Sequence, residues 1–256
     1  MRRSLHQDAT ALTIAATLAA AALACVDNPP LPADLYDPSV RILAIDPSPD
    51  GGPVAEQPVF TASLNTYLDP APLTFFNAAA LNSGGVRASV RADYRMVDKQ
   101  LVVTTRRPLE PGLIYDLTFN PDAIASVTGQ PFQGPALIQF LSGDAPLPPA
   151  PAEPEAPRWA EIEPLLAPCN VCHLDPEWQL PAVTREAMVG VASEQQPELV
   201  VVRPFDAPAS YLMHKILWDY PLRHGTAQPP PWAGYDQLSI DAQRLIERWI
   251  NAGALP

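Results

Sequence analysis

The chain has 256 residues, 33 of them proline, and a formal net charge of −12 at pH 7. A chain this acidic lacks the basic surface that nucleic-acid binding requires, so we exclude nucleic acid as a partner. Its length is sufficient for two domains, each with its own hydrophobic core.

The N-terminus predicts export from the cytoplasm. Arg2 and Arg3 precede the apolar run Ala11–Ala24, which ends in small side chains as secretory signals do, so residues 1–24 are expected to be a signal peptide. No transmembrane helix fits a run of about 14 residues, because a membrane span needs about 20.

The last residues of this run, Ala22, Leu23, Ala24 and Cys25, resemble the lipobox of bacterial lipoproteins. That resemblance implies cleavage before Cys25 and a lipid on its thiol, whereas the alternative is simple cleavage nearby with a free thiol. A lipid would attach the chain to a membrane of the cell envelope, in the periplasm or at the outer-membrane surface.

Two proline-rich stretches predict domain boundaries. Residues 25–38 are expected to form a tether, and residues 144–158 a linker, because such compositions favour extended polyproline II over a packed core. The chain is therefore predicted to be multidomain, with one domain over residues 39–143 and another over residues 159–256.

Residues 39–143 are predicted to form an all-β sandwich, because short apolar runs alternate with turn residues. The candidate strands are Val40–Ile45, Val59–Leu64, Val86–Tyr94, Gln100–Thr105, Leu113–Phe119 and Ala136–Phe140. The segment Leu109–Gly112, followed by Tyr115, Leu117, Phe119, Val127–Gly129 and Phe140, resembles the Ig-like domain of bacterial surface-layer proteins. This resemblance implies an Ig-like sandwich that acts as a spacer or an interaction module.

The run Cys169, Asn170, Val171, Cys172, His173 has the C-x-x-C-H spacing at which proteins bind haem covalently. On a helix, positions i, i+3 and i+4 share one face, so both thiols can reach one porphyrin while the imidazole ligates its iron. A structural zinc site needs four ligands, and the chain offers no second C-x-x-C or H-x-x-x-H pair. The spacing is also compatible with a redox dithiol or with two cysteines that simply pack in a core.

The C-terminal part carries a second signal. Apolar residues at helical spacing predict a helix over Leu238–Asn251, with Ser239 as its cap and Gly253 as its stop. Its ending, Arg248–Ala254, resembles the last helix of a widespread bacterial cytochrome c-like domain, as do the proline-containing turn Arg203–Pro208 and the helix led by Ser210. The resemblance spans Trp159–Ala254.

This resemblance implies a mostly α domain with one haem c, in which Cys169 and Cys172 hold the porphyrin and His173 is the proximal iron ligand. The family has Met-Pro-Pro shortly before the last helix, and that methionine is the sixth ligand of the iron. Here Gln228 stands before Pro229 and Pro230 in its place. The sixth ligand therefore stays open among Met213, His214, His224, Gln228 and an unligated or water-bound iron.

These patterns together predict an exported lipoprotein that holds one haem c and passes single electrons to a redox partner protein in the cell envelope. A haem-based sensor of small ligands is one alternative, and a surface protein that binds a partner through its Ig-like domain is another. No Ser-His-Asp or paired-carboxylate pattern is evident, so the sequence does not indicate an enzyme.

Overall fold

The computed structural model describes residues 39–135, 137–146, 155–177 and 180–256. The predicted signal peptide, the Cys25 lipidation site, the tether and most of the linker lie outside these residues. The described chain forms two compact units. The β unit contains the described residues up to Pro157 with Ala207–Ala209, and the helical unit contains Arg158–Asp206 and Ser210–Pro256. No helix within these ranges is long and apolar enough to cross a membrane.

The β unit contains two four-stranded antiparallel sheets. In the first, the strands lie in the order β1 (Ile42–Asp46), β2 (Val59–Leu64), β6 (Gln100–Thr105) and β5 (Val90–Arg95). In the second, the order is β4 (Val86–Ala88), β3 (Ala79–Ser83), β7 (Ile114–Phe119) and β8 (Leu137–Leu141). Side chains of both sheets form one core, among them Phe60, Leu81, Val103, Leu117 and Phe140. The predicted all-β sandwich is confirmed, and its strand order is that of an immunoglobulin sandwich.

The strands differ from the sequence prediction in two places. The run Val86–Tyr94 was expected to be one strand, but it divides at Ser89 into β4 and β5, which belong to different sheets. Strand β3 was not predicted, because its alanines and Asn82 have low strand propensity. Burial of Leu81, which is 0% exposed, compensates for that weak propensity.

Tyr115 joins β7 to the loop before it. Its hydroxyl accepts a hydrogen bond of 3.1 Å from the backbone N–H of Glu110. This is the position and contact of the tyrosine corner in immunoglobulin folds, where a disulfide cysteine follows two residues later. Here that place is taken by Leu117, which is 0% exposed, so apolar packing replaces the covalent link.

The described residues of the helical unit form five α-helices: α1 (Trp159–Leu166), α2 (Asn170–His173), α3 (Arg185–Met188), α4 (Tyr211–Ile216) and α5 (Ile240–Asn251). Much of the chain between them is irregular, so helices make up less of this unit than the predicted mostly α fold implied. Helix α5 begins after Ser239, whose hydroxyl accepts from the Ala242 N–H, as predicted. Trp249 of α5 is 0% exposed and packs against Trp159 of α1 with ring centroids 5.5 Å apart.

Gly253 ends α5, also as predicted. Its φ of +100° is a conformation that residues with a side chain rarely adopt. A Cβ at this position would lie 2.7 Å from the ring of Phe205, but that side chain is 75% exposed and can move aside, so it is the turn that requires glycine.

Leu117 and Ile114 provide a matched test of the sandwich core, because they lie on the same strand with exposures of 0% and 58%. We expect Leu117→Ala to lower the free energy of unfolding of the β unit by about 2–5 kcal/mol through the cavity it leaves. Ile114→Ala should change it by less than about 0.5 kcal/mol. Urea unfolding followed by circular dichroism measures both. Equal losses would contradict the placement of Leu117 in the core.

All five tryptophans occur at residue 159 or later. Tryptophan fluorescence in the same titration therefore identifies the transition of the helical unit separately.

Candidate functional site

The C-x-x-C-H motif lies on one continuous helical turn. Ala167–Cys169 form a 3-10 turn that continues directly into α2. Cys169 and Cys172 are half-buried free thiols, and burial raises the pKa of Cys169, which keeps its thiol protonated at neutral pH. Within the described ranges, no group of three or more His, Cys, Asp or Glu side chains is arranged to hold a metal ion by itself.

His173 is held by its Nδ1 atom. The Nδ1–H donates a hydrogen bond of 2.6 Å to the backbone carbonyl of Pro181. Burial, with a smaller contribution from the positive charge of Lys215, lowers the pKa of His173 below its ordinary 6.5 although the Pro181 contact opposes this. The ring is therefore neutral at pH 7, with its proton on Nδ1 and its lone pair on Nε2. A neutral imidazole oriented in this way is the form that ligates metals.

Asn170, the second residue of the motif, holds the segment that supplies this carbonyl. Its side-chain amide donates to the Val183 carbonyl at 3.2 Å, and its Oδ1 accepts from the Val183 N–H at 3.0 Å. This two-point contact fixes the chain two residues after Pro181 against α2. Asn170 thus positions the acceptor that orients His173.

The motif faces a shallow cleft that is partly open to solvent. Its enclosed volume is only about 30 Å³, which is room for one or two water molecules, so a larger group would need the open side of the cleft or a movement of its walls. All three chemically active motif residues line it, and the apolar part of its wall consists of Pro168, Leu180, Pro229, Pro230 and Ala233. Three further residues with hydrogen-bonding side chains also line it, namely Gln228, Trp232 and Tyr235.

The four candidates for a sixth ligand lie in different environments. Gln228 lines the cleft together with His173, and the other three are not among its lining residues. Met213 is 0% exposed in the core of α4, and His214 is buried with its ring stacked on Tyr220 at 4.2 Å. His224 is exposed in the loop after α4.

Hydrogen bonds from α4 and the residues after it hold the backbone of the loop that carries Gln228. The Gln228 N–H donates to the Lys215 carbonyl at 2.8 Å, and its carbonyl accepts from the Trp218 indole at 3.4 Å. Earlier in the loop, the His224 carbonyl accepts from the Lys215 ammonium at 3.0 Å and from the Tyr211 hydroxyl at 3.1 Å. The backbone of the loop is therefore fixed at both ends.

Sequence reasoning did not identify Asn170, Pro181, Trp232 or Tyr235 as part of the site. Pro181 acts through a backbone carbonyl, which has no signature in a sequence. The aromatic residues follow the three prolines after Gln228. Their position close to Gln228, in the segment where a sixth ligand was expected, could have indicated that they line the site.

Comparisons with known proteins establish no family. No protein family and no curated protein matches the chain. Weak structural neighbours of part of the chain include the bacterial S-layer protein SbsC. Its residues 31–844 share 11% identity over 41% of this chain and 14% of that chain, with a TM-score of 0.31. Its N-terminal part shares 12% identity over 41% of this chain and 24% of that one, with a TM-score of 0.32.

Another neighbour is the native conformation of E. coli alpha-2-macroglobulin, at 12% identity over 43% of this chain and 6% of that chain, with a TM-score of 0.32. The chain thus covers a small part of each of these proteins. Similarity at this level establishes neither family nor function.

The contact between Asn170 and Val183 can be tested by hydrogen exchange. Asn170→Ala removes the acceptor of the Val183 N–H, so we expect this amide to exchange about 3- to 10-fold faster, as the loss of one hydrogen bond implies. Asn170→Asp keeps that acceptor but loses the donor to the Val183 carbonyl, so its exchange rate should lie between those of the wild type and the alanine variant. Unaltered protection of Val183 in the alanine variant would show that Asn170 does not hold this segment.

Tyr211 provides a test at high pH. Burial raises its pKa from 10.0 to about 12. Between these pH values the unfolded chain loses the phenol proton before the folded chain does, so stability falls as pH rises through this window. Tyr211→Phe is expected to remove a step near pH 12 from the ultraviolet titration of tyrosinate and to reduce the loss of stability above pH 10.

Proposed function

We propose that this chain is an exported lipoprotein that carries one haem c and transfers single electrons to a redox partner protein in the cell envelope. The observation that carries the proposal is the His173 imidazole, which is neutral, fixed at Nδ1 by Pro181 and adjacent to two free thiols. Covalent haem attachment needs these three groups on one helical turn.

The side chains that line the cleft, two thiols and an imidazole beside apolar residues, are of the kinds that hold such a group. Cys169 and Cys172 would each add their S–H across one vinyl group to form a thioether, and His173 would ligate the iron through Nε2. The prolines and Leu180 supply an apolar wall that would restrict water at a bound porphyrin. When bound, the haem supplies an iron that cycles between the ferric and ferrous states.

The hydrogen bond to Pro181 also affects the electronic properties of the site. A carbonyl that accepts from Nδ1–H makes Nε2 a stronger donor to the metal. Stronger donation favours the more highly charged ferric state and lowers the reduction potential. Asn170 supports this effect indirectly, because it holds the segment on which the carbonyl lies.

The remaining parts of the proposal concern location. The predicted lipid on Cys25 would hold the chain at a membrane, and in chain order the proline-rich segments and the β unit follow it before the helical unit. In this proposal the β unit is a spacer, because its segment contains no histidine or cysteine that could ligate a redox metal.

The test is a haem stain of the full-length chain, purified from a host that attaches haem c and separated on a denaturing gel. We expect the stain to persist after denaturation in the wild type and to disappear in the Cys169→Ser/Cys172→Ser variant. Cys25→Ser is the matched cysteine control, which should keep the stain but lose membrane association. A wild-type chain without covalent iron porphyrin would refute the proposal.

Electron transfer is measured on the same preparation by voltammetry. A reversible one-electron wave is expected in the wild type. Asn170→Ala should shift its midpoint to higher potential, because a loosened Pro181 carbonyl weakens the donor strength of His173. If the protein stains for haem but shows no reversible wave, covalent attachment of haem stands and the proposed electron transfer is wrong.

A further inference from the structure

Among the candidate sixth ligands, only Gln228 lines the cleft that contains His173. Met213 and His214 are enclosed in the packing of α4, and moving either side chain into the cleft would require that helix to unfold or turn. The other described methionines, Met96 and Met188, are buried elsewhere and do not line the cleft either.

The position of Gln228 is fixed by its own backbone. Its N–H and its carbonyl are bonded to Lys215 and Trp218, so the loop cannot slide along the cleft without breaking both contacts. A primary amide is a poor iron ligand compared with a thioether or an imidazole, but it carries two N–H donors. Gln228 therefore places hydrogen-bond donors at the sequence position that the methionine ligand occupies in the cytochrome c-like domains that this segment resembles.

Two more donors line the same cleft. Trp232 has an indole N–H and Tyr235 a hydroxyl, and these side chains are 55% and 40% exposed. Donors near a haem favour a bound ligand with an accepting atom, because the polarity of the pocket decides between ligand binding and simple electron transfer. The partial openness of the cleft provides a path for a small molecule.

We infer that the iron position away from His173 has no protein ligand and binds a neutral diatomic molecule, to which the Gln228 amide donates a hydrogen bond. This inference rests on the proposed covalent haem. A diatomic ligand that prefers ferrous iron would stabilise the reduced state and slow onward electron transfer. The site would then respond to the ligand as well as to the redox partner.

The test uses the dithionite-reduced, haem-loaded full-length protein, titrated with carbon monoxide as the probe. We expect a saturable shift of the Soret band in the wild type. Gln228→Met supplies a thioether and should produce a low-spin spectrum and at least about tenfold weaker carbon monoxide binding. Gln228→Leu keeps the size but removes the donor, so carbon monoxide should still bind with a higher C–O stretching frequency.

His224→Ala is the control, because His224 is exposed and does not line the cleft. It should leave the wild-type spectrum unchanged. A low-spin wild type with attached haem and no response to carbon monoxide would overturn the inference while leaving the proposed haem function intact. A change of spin state in His224→Ala would overturn it too and identify His224 as the ligand. Absence of covalent haem, seen in the denaturing stain, would refute both proposals.

Discussion

The candidate site depends on one hydrogen bond, from Nδ1 of His173 to the carbonyl of Pro181. An imidazole has two nitrogens, and a hydrogen bond donated by one of them leaves the other with a free lone pair that can ligate a metal. Pro181, eight residues after His173 in the sequence, supplies that carbonyl. Asn170 holds the segment that follows this carbonyl, because its side chain both donates a hydrogen bond to the backbone of Val183 and accepts one from it.

Lys215 of α4 interacts both with the loop that carries Gln228 and, through its charge, with His173. Its ammonium is held by the side-chain oxygen of Gln195 and the carbonyl of His224, while its own carbonyl accepts from Gln228. The same positive charge disfavours protonation of His173. If the proposed haem is bound, the charge of Lys215 would favour the reduced iron, whereas the Pro181 contact would favour the oxidised iron. These two opposing effects would together determine the reduction potential of the proposed haem.

Much of this structure could be predicted from local patterns, and the remainder depends on distant contacts. Helix α5 was predictable because Ile246, Trp249 and Ile250 repeat at helical spacing and lie in the core. The division at Ser89 was not, since the apolar alternation continues across it while the chain changes sheets. In the site, the spacing of the two cysteines and His173 predicted that they share one helical turn, and the structure places them on it. The role of Asn170 arises only when residue 183 returns to it.

Helix α2 contains only four residues, Asn170–His173. A single helical turn fixes several dihedral angles for very few hydrogen bonds, so it is unstable without help from outside. A rigid group bonded to both thiols would span this turn and restrict the unfolded chain in the manner of a short cross-link. The cofactor would then be a folding element as much as a redox centre, and the order of assembly would begin at this turn rather than at the larger helices around it.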